Sequence, residues 1–308
     1  MIQTIIQAVQ NYFDSVSAAF TTYPVFFYFV ITILGLLVGS FLNVVIYRLP
    51  IMLENAYKDE YQEYFYPEKE LPKREKFNLM VPASHCPNCN HKISAIENIP
   101  LLSFLCLRGK CKECGQKISF RYPFVEALTA ILSFIVAYKF GPHLATLGGL
   151  ILCWSLVALS GIDFDKKILP DEIIFPVLWL GIILNLFTTY TDITSSIFGA
   201  VFGYLILWLI YWTFKIIFGK EGMGYGDFKL TALLGAWIGY QYLGILVLMP
   251  AFVGLIGYTL FFIYSKVFTK TKQEPEFAYG PYIAISGFIA LIYGPEINSW
   301  YLHTMMGM

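Results

Sequence analysis

Charge is scarce in this 308-residue chain: Asp, Glu, Lys and Arg make up 14% of it, and no Lys or Arg precedes Arg48. A secretory signal needs a positive region ahead of its apolar core, so the first hydrophobic span is expected to be retained. The 21 acidic residues equal the 21 basic ones, and a zero net charge gives no reason to expect a nucleic-acid partner. No G-x-G-x-x-G nucleotide fingerprint occurs. What the chain has in excess is apolar side chain, with 57% hydrophobic residues and a mean hydropathy of +0.62. That excludes an ordinary soluble domain and leaves an all-α polytopic membrane protein, with the lipid bilayer as its first partner.

Residues 1–22 place Ile2, Ile5, Ile6, Val9, Phe13, Val16 and Phe20 at helical spacing, with Gln3, Gln7, Gln10, Asn11 and Asp14 largely opposite. This predicts an amphipathic helix lying on the membrane surface. Residues 23–47 are free of charge and long enough to cross a bilayer, which needs roughly 20 residues. A polar stretch, 48–121, holds most of the charge and forms the one extramembrane domain. Residues 122–308 then carry seven more apolar runs, near 122–139, 145–162, 172–190, 194–218, 227–241, 242–265 and 277–294. With the first span this predicts about eight transmembrane helices.

Eight crossings put the loops after spans one, three, five and seven on one side, and those loops with their flanks hold 20 of the 21 Lys and Arg, all but Lys139. Positive charge marks the cytosolic side. Both termini are therefore expected outside the cytosol.

Two carboxylates stand out. Asp227 lies in GMGYGDFKL (222–230), between a glycine-rich turn and an apolar run; Asp163 lies in GIDFDKKILPD (161–171). Two crossings separate them, so both are expected at the cytosolic boundary. Ionisable groups at membrane depth are functional candidates, and two carboxyls close enough to share a proton can activate water and protonate a leaving group. Gly222, Gly224 and Gly226 would let a substrate backbone approach and allow an unusual turn.

The pattern points to a membrane aspartyl endopeptidase. A plainer reading has Asp163 ending a helix beside Lys166 or Lys167 and Asp227 starting one. Asp171 and Glu172, after Pro170, read as a first helical turn, and Asp165 as a loop residue. The rival class is a proton- or cation-coupled transporter using Asp163 and Asp227, although no internal repeat supports it.

Cys86-x-x-Cys89 and Cys111-x-x-Cys114 flank 21 residues, a spacing that predicts a structural zinc site in a small ribbon of short strands, with no open position for catalysis. His85 and His91 are not needed as ligands. The insert Ser94–Leu107 is apolar enough to lie against the membrane. The tract Glu54–Lys76 reads as a solvated linker or short helix, and Cys106 and Cys153 as buried apolar residues.

Taken in order, GSFLNVVIYRLP (39–50), FNL (77–79), CPNC (86–89), ENIPLLSFL (97–105), RGKC (108–111), RYPFVE (121–126), IDFDKKILPD (162–171) and GYGDFKL (224–230) give the chain a close resemblance to the type IV prepilin peptidases. These are the bifunctional leader peptidases and N-methyltransferases of bacterial type IV pilus and type II secretion systems. The resemblance implies an inner-membrane enzyme that cleaves the basic leader of prepilins and pseudopilins on the cytosolic side. It also implies methylation of the new N-terminal residue from S-adenosylmethionine. The family's catalytic aspartates fall on Asp163 and Asp227, and its cysteine pairs on Cys86, Cys89, Cys111 and Cys114. For methyl transfer the resemblance points to the first cytosolic loop, with Gly109, Lys110 and Glu126 as candidates.

Overall fold

The structure is a computed structural model that describes residues 18, 20–72, 74–220, 223–264 and 278–305. The amphipathic helix expected over 1–22 falls almost wholly outside the described residues, as does Gly222. The described chain is helical, with only two isolated antiparallel bridges and no sheet among the described residues. It divides into two compact units, 23–138 and 139–308 together with the N-terminal segment.

The first unit contains α1 (Pro24–Phe65), a 3-10 turn (Ile96–Asn98), the short α2 (Leu102–Cys106) and α3 (Arg121–Phe140). Gly35 and Gly39 lie four residues apart on α1. A Cβ on Gly35 would stand 2.9 Å from the Ala130 Cα, and one on Gly39 2.8 Å from the Glu126 Cα. Rising numbers on α1 therefore meet falling numbers on α3, and the helices pack antiparallel at backbone distance, the use membrane helices make of small residues four apart.

α1 does not stop at residue 47. It continues to Phe65, a length of 42 residues, so the first part of the tract read as a linker or short helix, 54–65, is the polar extension of the first span, and the chain leaves the helix at Tyr66. Glu54 and Lys58 pair at helical spacing, Arg74 folds back onto Asp59 Oδ2 (2.7 Å) and the Asn55 carbonyl, and Tyr61 stacks near Phe65. Good helix formers with such pairs hold a helix without an apolar face.

The second unit contains α4 (Leu144–Lys166), α5 (Asp171–Asn185), α6 (Ile193–Phe218), α7 (Tyr225–Ile238), α8 (Leu243–Tyr264) and α9 (Gly280–Met305). Its centre is α7, buried from Asp227 to Ile238 apart from the half-buried Lys229. Gly199 and Gly235 bring α6 and α7 into backbone contact, so neither position has room for a side chain. Trp237, fully buried, lies against Gly181 and donates its indole N–H to the Val177 carbonyl at 2.9 Å. Asn185 donates to the carbonyls of Ala236 and Trp237, both at 2.9 Å. These contacts fix α7 against α5 and α6 by satisfied polar groups as well as by apolar burial.

Eight long helices occupy the positions of the eight expected spans, but length and composition support fewer crossings. Among the described residues five stretches are long and apolar enough: Pro24–Phe65, Arg121–Phe140, Leu144–Lys166, Ile193–Phe218 and Tyr240–Gly257. α5 and α7 have 15 and 14 residues, about 21–23 Å of helix at 1.5 Å per residue, against a hydrocarbon core of about 30 Å. An apolar run cannot distinguish a helix that faces lipid from a shorter one enclosed by its neighbours, and α7 is the enclosed kind.

Candidate functional site

Asp163 sits one turn before the end of α4. The helix stops because Lys167 takes a left-handed backbone (φ 57) and returns its N–H to the Asp163 carbonyl at 3.0 Å. The side chain, 5% exposed, accepts the Gly280 N–H on Oδ2 at 2.9 Å. Gly280 opens α9, so a carboxylate occupies the positive end of that helix. A Cβ at 280 would lie 2.8 Å from Oδ2, which restricts the position to glycine.

Asp227 lies in the first turn of α7, 6% exposed, and its Oδ2 accepts the Gly224 N–H at 3.1 Å. The backbone at Gly224 is ordinary and extended (φ −84, ψ 154), so the turn into α7 is not an unusual one. A side chain there would fit: among the described residues the nearest atom to the ideal Cβ is Asp227 Oδ2 at 3.8 Å, an ordinary contact. Gly226 serves a different need: a Cβ there would meet Leu169 Cβ at 2.8 Å. The same Leu169 reaches to 3.2 Å from the ideal Cβ of Gly280. Leu169, itself in the string that carries Asp163, is thus packed against both Gly226 and Gly280.

The carboxyls of Asp163 and Asp227 lie within electrostatic reach of each other, and Tyr279 lies within reach of Asp227. Each holds one oxygen on a glycine N–H; among the described residues no donor reaches either Oδ1. Two buried carboxyls so placed cannot both ionise freely, so they exchange protons as a pair.

Two features beside the pair were not read from the sequence. Gly280 had no role assigned, although a Gly-Pro step opening an apolar run marks a helix start. Lys229, two residues past Asp227, holds both oxygens of Asp171 at 2.8 Å, tying α7 to α5. Asp171 does begin α5; the ion pair is added to that. Asp165 is exposed.

In the first unit the four thiols of Cys86, Cys89, Cys111 and Cys114 all lie within 4.8 Å of one another. Two knuckles bring them together by the same local rule. The amides of Cys86 and Cys111 donate to the carbonyls of His91 and Gln116, and the residue after each second cysteine, Asn90 (φ 57) or Gly115 (φ 70), is left-handed. Each knuckle is closed by one bridge, His85 to Lys92 and Lys110 to Lys117, so the expected ribbon of strands is reduced to two turns.

The Cys86–Cys114 and Cys89–Cys111 sulfurs are 3.8 and 3.9 Å apart, close to the ~3.8 Å edge of a tetrahedron with Zn–S bonds of about 2.3 Å. The donor set fits a tetrahedral thiolate metal. The Gln116 amide holds the Cys114 thiol down to about 6, and the Cys89 and Asn88 amides lower Cys86. The His91 amide acts on Cys89 in the same sense, but burial and the neighbouring thiols push that group up to about 12.

His91 is engaged by Glu97 (3.2 Å) and His85 by the Ala83 carbonyl (3.0 Å). Cys153 is buried as expected, whereas Cys106 is exposed at the end of α2.

The three methyl-transfer candidates lie around α2. Glu126, 8% exposed on α3, accepts the Leu101 N–H at 2.9 Å where the chain enters α2, and Leu101 has φ 58. Gly109 (φ 66) makes the turn after α2 against the Phe104 ring, and Lys110 enters the second knuckle.

Comparison with known proteins gives concordant matches. The profile of the bacterial peptidase A24 N-terminal domain matches residues 33–140, and that of the type IV leader peptidase family matches 150–268. Proteins named prepilin leader peptidase/N-methyltransferase are similar over nearly the whole chain. One from Aeromonas salmonicida (strain A449) is 49% identical over 284 residues, covering 92% of this chain and 96% of its own length. One from Pseudomonas putida is 49% identical over 277 residues, 89% and 93% of the two chains. One from Legionella pneumophila is 40% identical over 287 residues, 93% and 98%. No solved structure matches. None of these matches supports the transporter alternative.

Proposed function

The chain belongs to the type IV leader peptidase family, and on that footing we propose that it is an inner-membrane aspartyl endopeptidase. It removes the leader of prepilins and pseudopilins on the cytosolic side and N-methylates the new N-terminal residue. The observation that carries the peptidase reading is the convergence of Asp163 and Asp227, each with one oxygen held by a glycine amide. A water between the two free oxygens gives up a proton to one carboxylate and attacks the scissile carbonyl. The other carboxyl, protonated, donates its proton to that carbonyl oxygen; as the C–N bond breaks, the first passes the water's proton to the leaving amine and the second recovers a proton from the diol hydroxyl. No covalent intermediate is required. The fixed Oδ2 atoms keep both Oδ1 atoms aimed at the water.

The substrate backbone approaches past Gly222 and Gly224; the room beside Gly224 supports this, while Gly226 is taken up by its packing on Leu169. The positive charge gathered on four of the loops supports a cytosolic site with both termini outside. Cys86, Cys89, Cys111 and Cys114 would hold a zinc ion that supplies a cross-link between the knuckles and takes no part in the chemistry. Methyl transfer from S-adenosylmethionine rests on the names of the relatives and is assigned to the first unit, with Gly109, Lys110 and Glu126 as its residues.

Incubating the purified protein with a prepilin, with and without S-adenosylmethionine, and weighing the product tests both parts. Loss of the leader in both tubes and gain of one methyl group only with the donor is expected. An uncut substrate would end the peptidase reading.

A further inference from the structure

Inside the first unit, the seam between α1 and α3 holds a buried acceptor that no donor among the described residues serves. Asn43, 6% exposed, donates Nδ2 to the carbonyls of Gly39 and Tyr122, both at 3.2 Å. Two carbonyl partners on one end of the amide settle which end is nitrogen. Its Oδ1 is then buried without a partner, a condition native interiors avoid unless a ligand or water completes it. Among the described residues only one other buried side-chain atom, Asp59 Oδ1, is in that position.

Because Asn43 bonds back to Gly39, its side chain leans along α1 toward the level where Gly39 faces Glu126. The Glu126 carboxylate there accepts the Leu101 amide, and Ser40 lies within electrostatic reach of it. Among the described residues no cationic side chain pairs with it, and Arg48, further along α1, is spent on the carbonyls of Asn78 and Pro82.

An orphaned amide oxygen on a side chain bonded to the Gly39 carbonyl, with the backbone of Glu126 packed on that same glycine, asks for a ligand with several N–H donors and a positive charge. A primary ammonium, with three donors on one centre, meets that description. A bare metal cation would need more oxygen ligands than this seam offers.

We propose that Asn43 and Glu126, with Ser40 beside them, bind the primary ammonium group of a methyl-transfer ligand. The inference rests on the proposed methyl transfer, and two ligands share the chemistry: the α-amine newly exposed on the cleaved substrate and the amino group of the donor's methionine part.

Calorimetric binding to the full-length protein in detergent separates these. The probes are a peptide with the processed N-terminus, the same peptide N-acetylated, S-adenosylhomocysteine, and its deaminated analogue. In the wild type, removing the amine from one pair weakens binding by about 10- to 100-fold, the size of a charge-assisted hydrogen bond. In Glu126→Gln that difference shrinks to about threefold or less, because the amine has lost its counter-charge. The pair that shows the collapse identifies the ligand.

Each variant's fold is checked by thermal melting and metal content, and Asn43→Ala replaces Glu126→Gln in the comparison if the latter does not fold. Equal weakening in wild type and variant for both pairs, or no binding of either amine-bearing probe, overturns the proposal. Methyl transfer by the wild type is scored separately: its absence would remove the underlying reading, while the binding comparison still decides whether an ammonium site exists.

Discussion

The amide of Gly280 and the carboxylate of Asp163 meet at 2.9 Å across 117 residues of chain, joining the first turn of α9 to the last turn of α4. The contact fixes one oxygen of the carboxylate and leaves the other for chemistry. Gly224 does the same for Asp227 at 3.1 Å. The two halves of the site are therefore built alike, one from a distant helix start and one from the aspartate's own helix.

If the carboxyls divide base and acid work, neither is dispensable. Asp163→Asn and Asp227→Asn each lower leader cleavage by at least about a thousandfold, the scale on which general acid–base groups and their partners act. Amide for carboxyl keeps the shape and hydrogen-bond length, so thermal melting changes little. Processing at the wild-type rate by either variant in a purified assay removes that residue from the mechanism.

A methyl at position 280 has nowhere to go. It would stand 2.8 Å from Asp163 Oδ2 and 3.2 Å from Leu169 Cδ2, so the carboxylate must shift. Gly280→Ala is expected to lower kcat by about a hundredfold, as misplacements near 1 Å do. Metal content and methyl transfer serve as controls. A kcat within twofold of wild type would show that Asp163 does not depend on this amide.

Gly224 and Gly226 separate two reasons for a glycine. At 226 the added Cβ strikes Leu169 within the protein (2.8 Å), whereas at 224 it meets nothing among the described residues nearer than Asp227 Oδ2 at 3.8 Å. Gly226→Ala therefore lowers the melting temperature. Gly224→Ala leaves it unchanged and raises KM severalfold with little loss of kcat, because only the incoming backbone meets the methyl. A normal KM for Gly224→Ala places the substrate elsewhere.

Sequence patterns revealed those elements whose chemistry is local. The cysteine pairs were legible because a metal site needs two short loops of fixed length, and Cys86 to Cys114 supply them. Asp163 and Asp227 stood out because a carboxylate bordering an apolar run is costly, and the fold brings the two within electrostatic reach of each other. The Gly280 amide was not legible: every residue has one, and only the fold shows which is aimed at a carboxylate.

Apolar runs at α5 and α7 did not foretell helices of only 15 and 14 residues, because hydropathy measures removal from water and not what replaces it. α1 ran past its expected end because pairs such as Glu54–Lys58 sustain a helix that apolar periodicity does not reveal.

The thiol cluster predicts one zinc per chain by elemental analysis. Cys111→Ser or exhaustive chelation should release it and expose the amides of Cys86, Asn90, Cys111 and Gly115 to hydrogen exchange, since their bonds exist only while the knuckles hold. Protection at these amides that persists after the metal is removed would show that the turns fold without it.

Lys229 and Asp171 give the last test. Their pair is bidentate at 2.8 Å, yet the side chains are 28% and 44% exposed, so solvent screening limits the coupling to about 1 kcal/mol or less. Its larger effect is on geometry, because Lys229 lies in the helical turn that follows Asp227 and Asp171 follows the loop that carries Leu169. Lys229→Met and Asp171→Asn should each reduce kcat while the double variant is no worse than the poorer single one, the signature of residues that act as a unit. Strictly multiplicative losses would mean that the two side chains serve the site separately and that the ion pair does not hold α7 in register with α5.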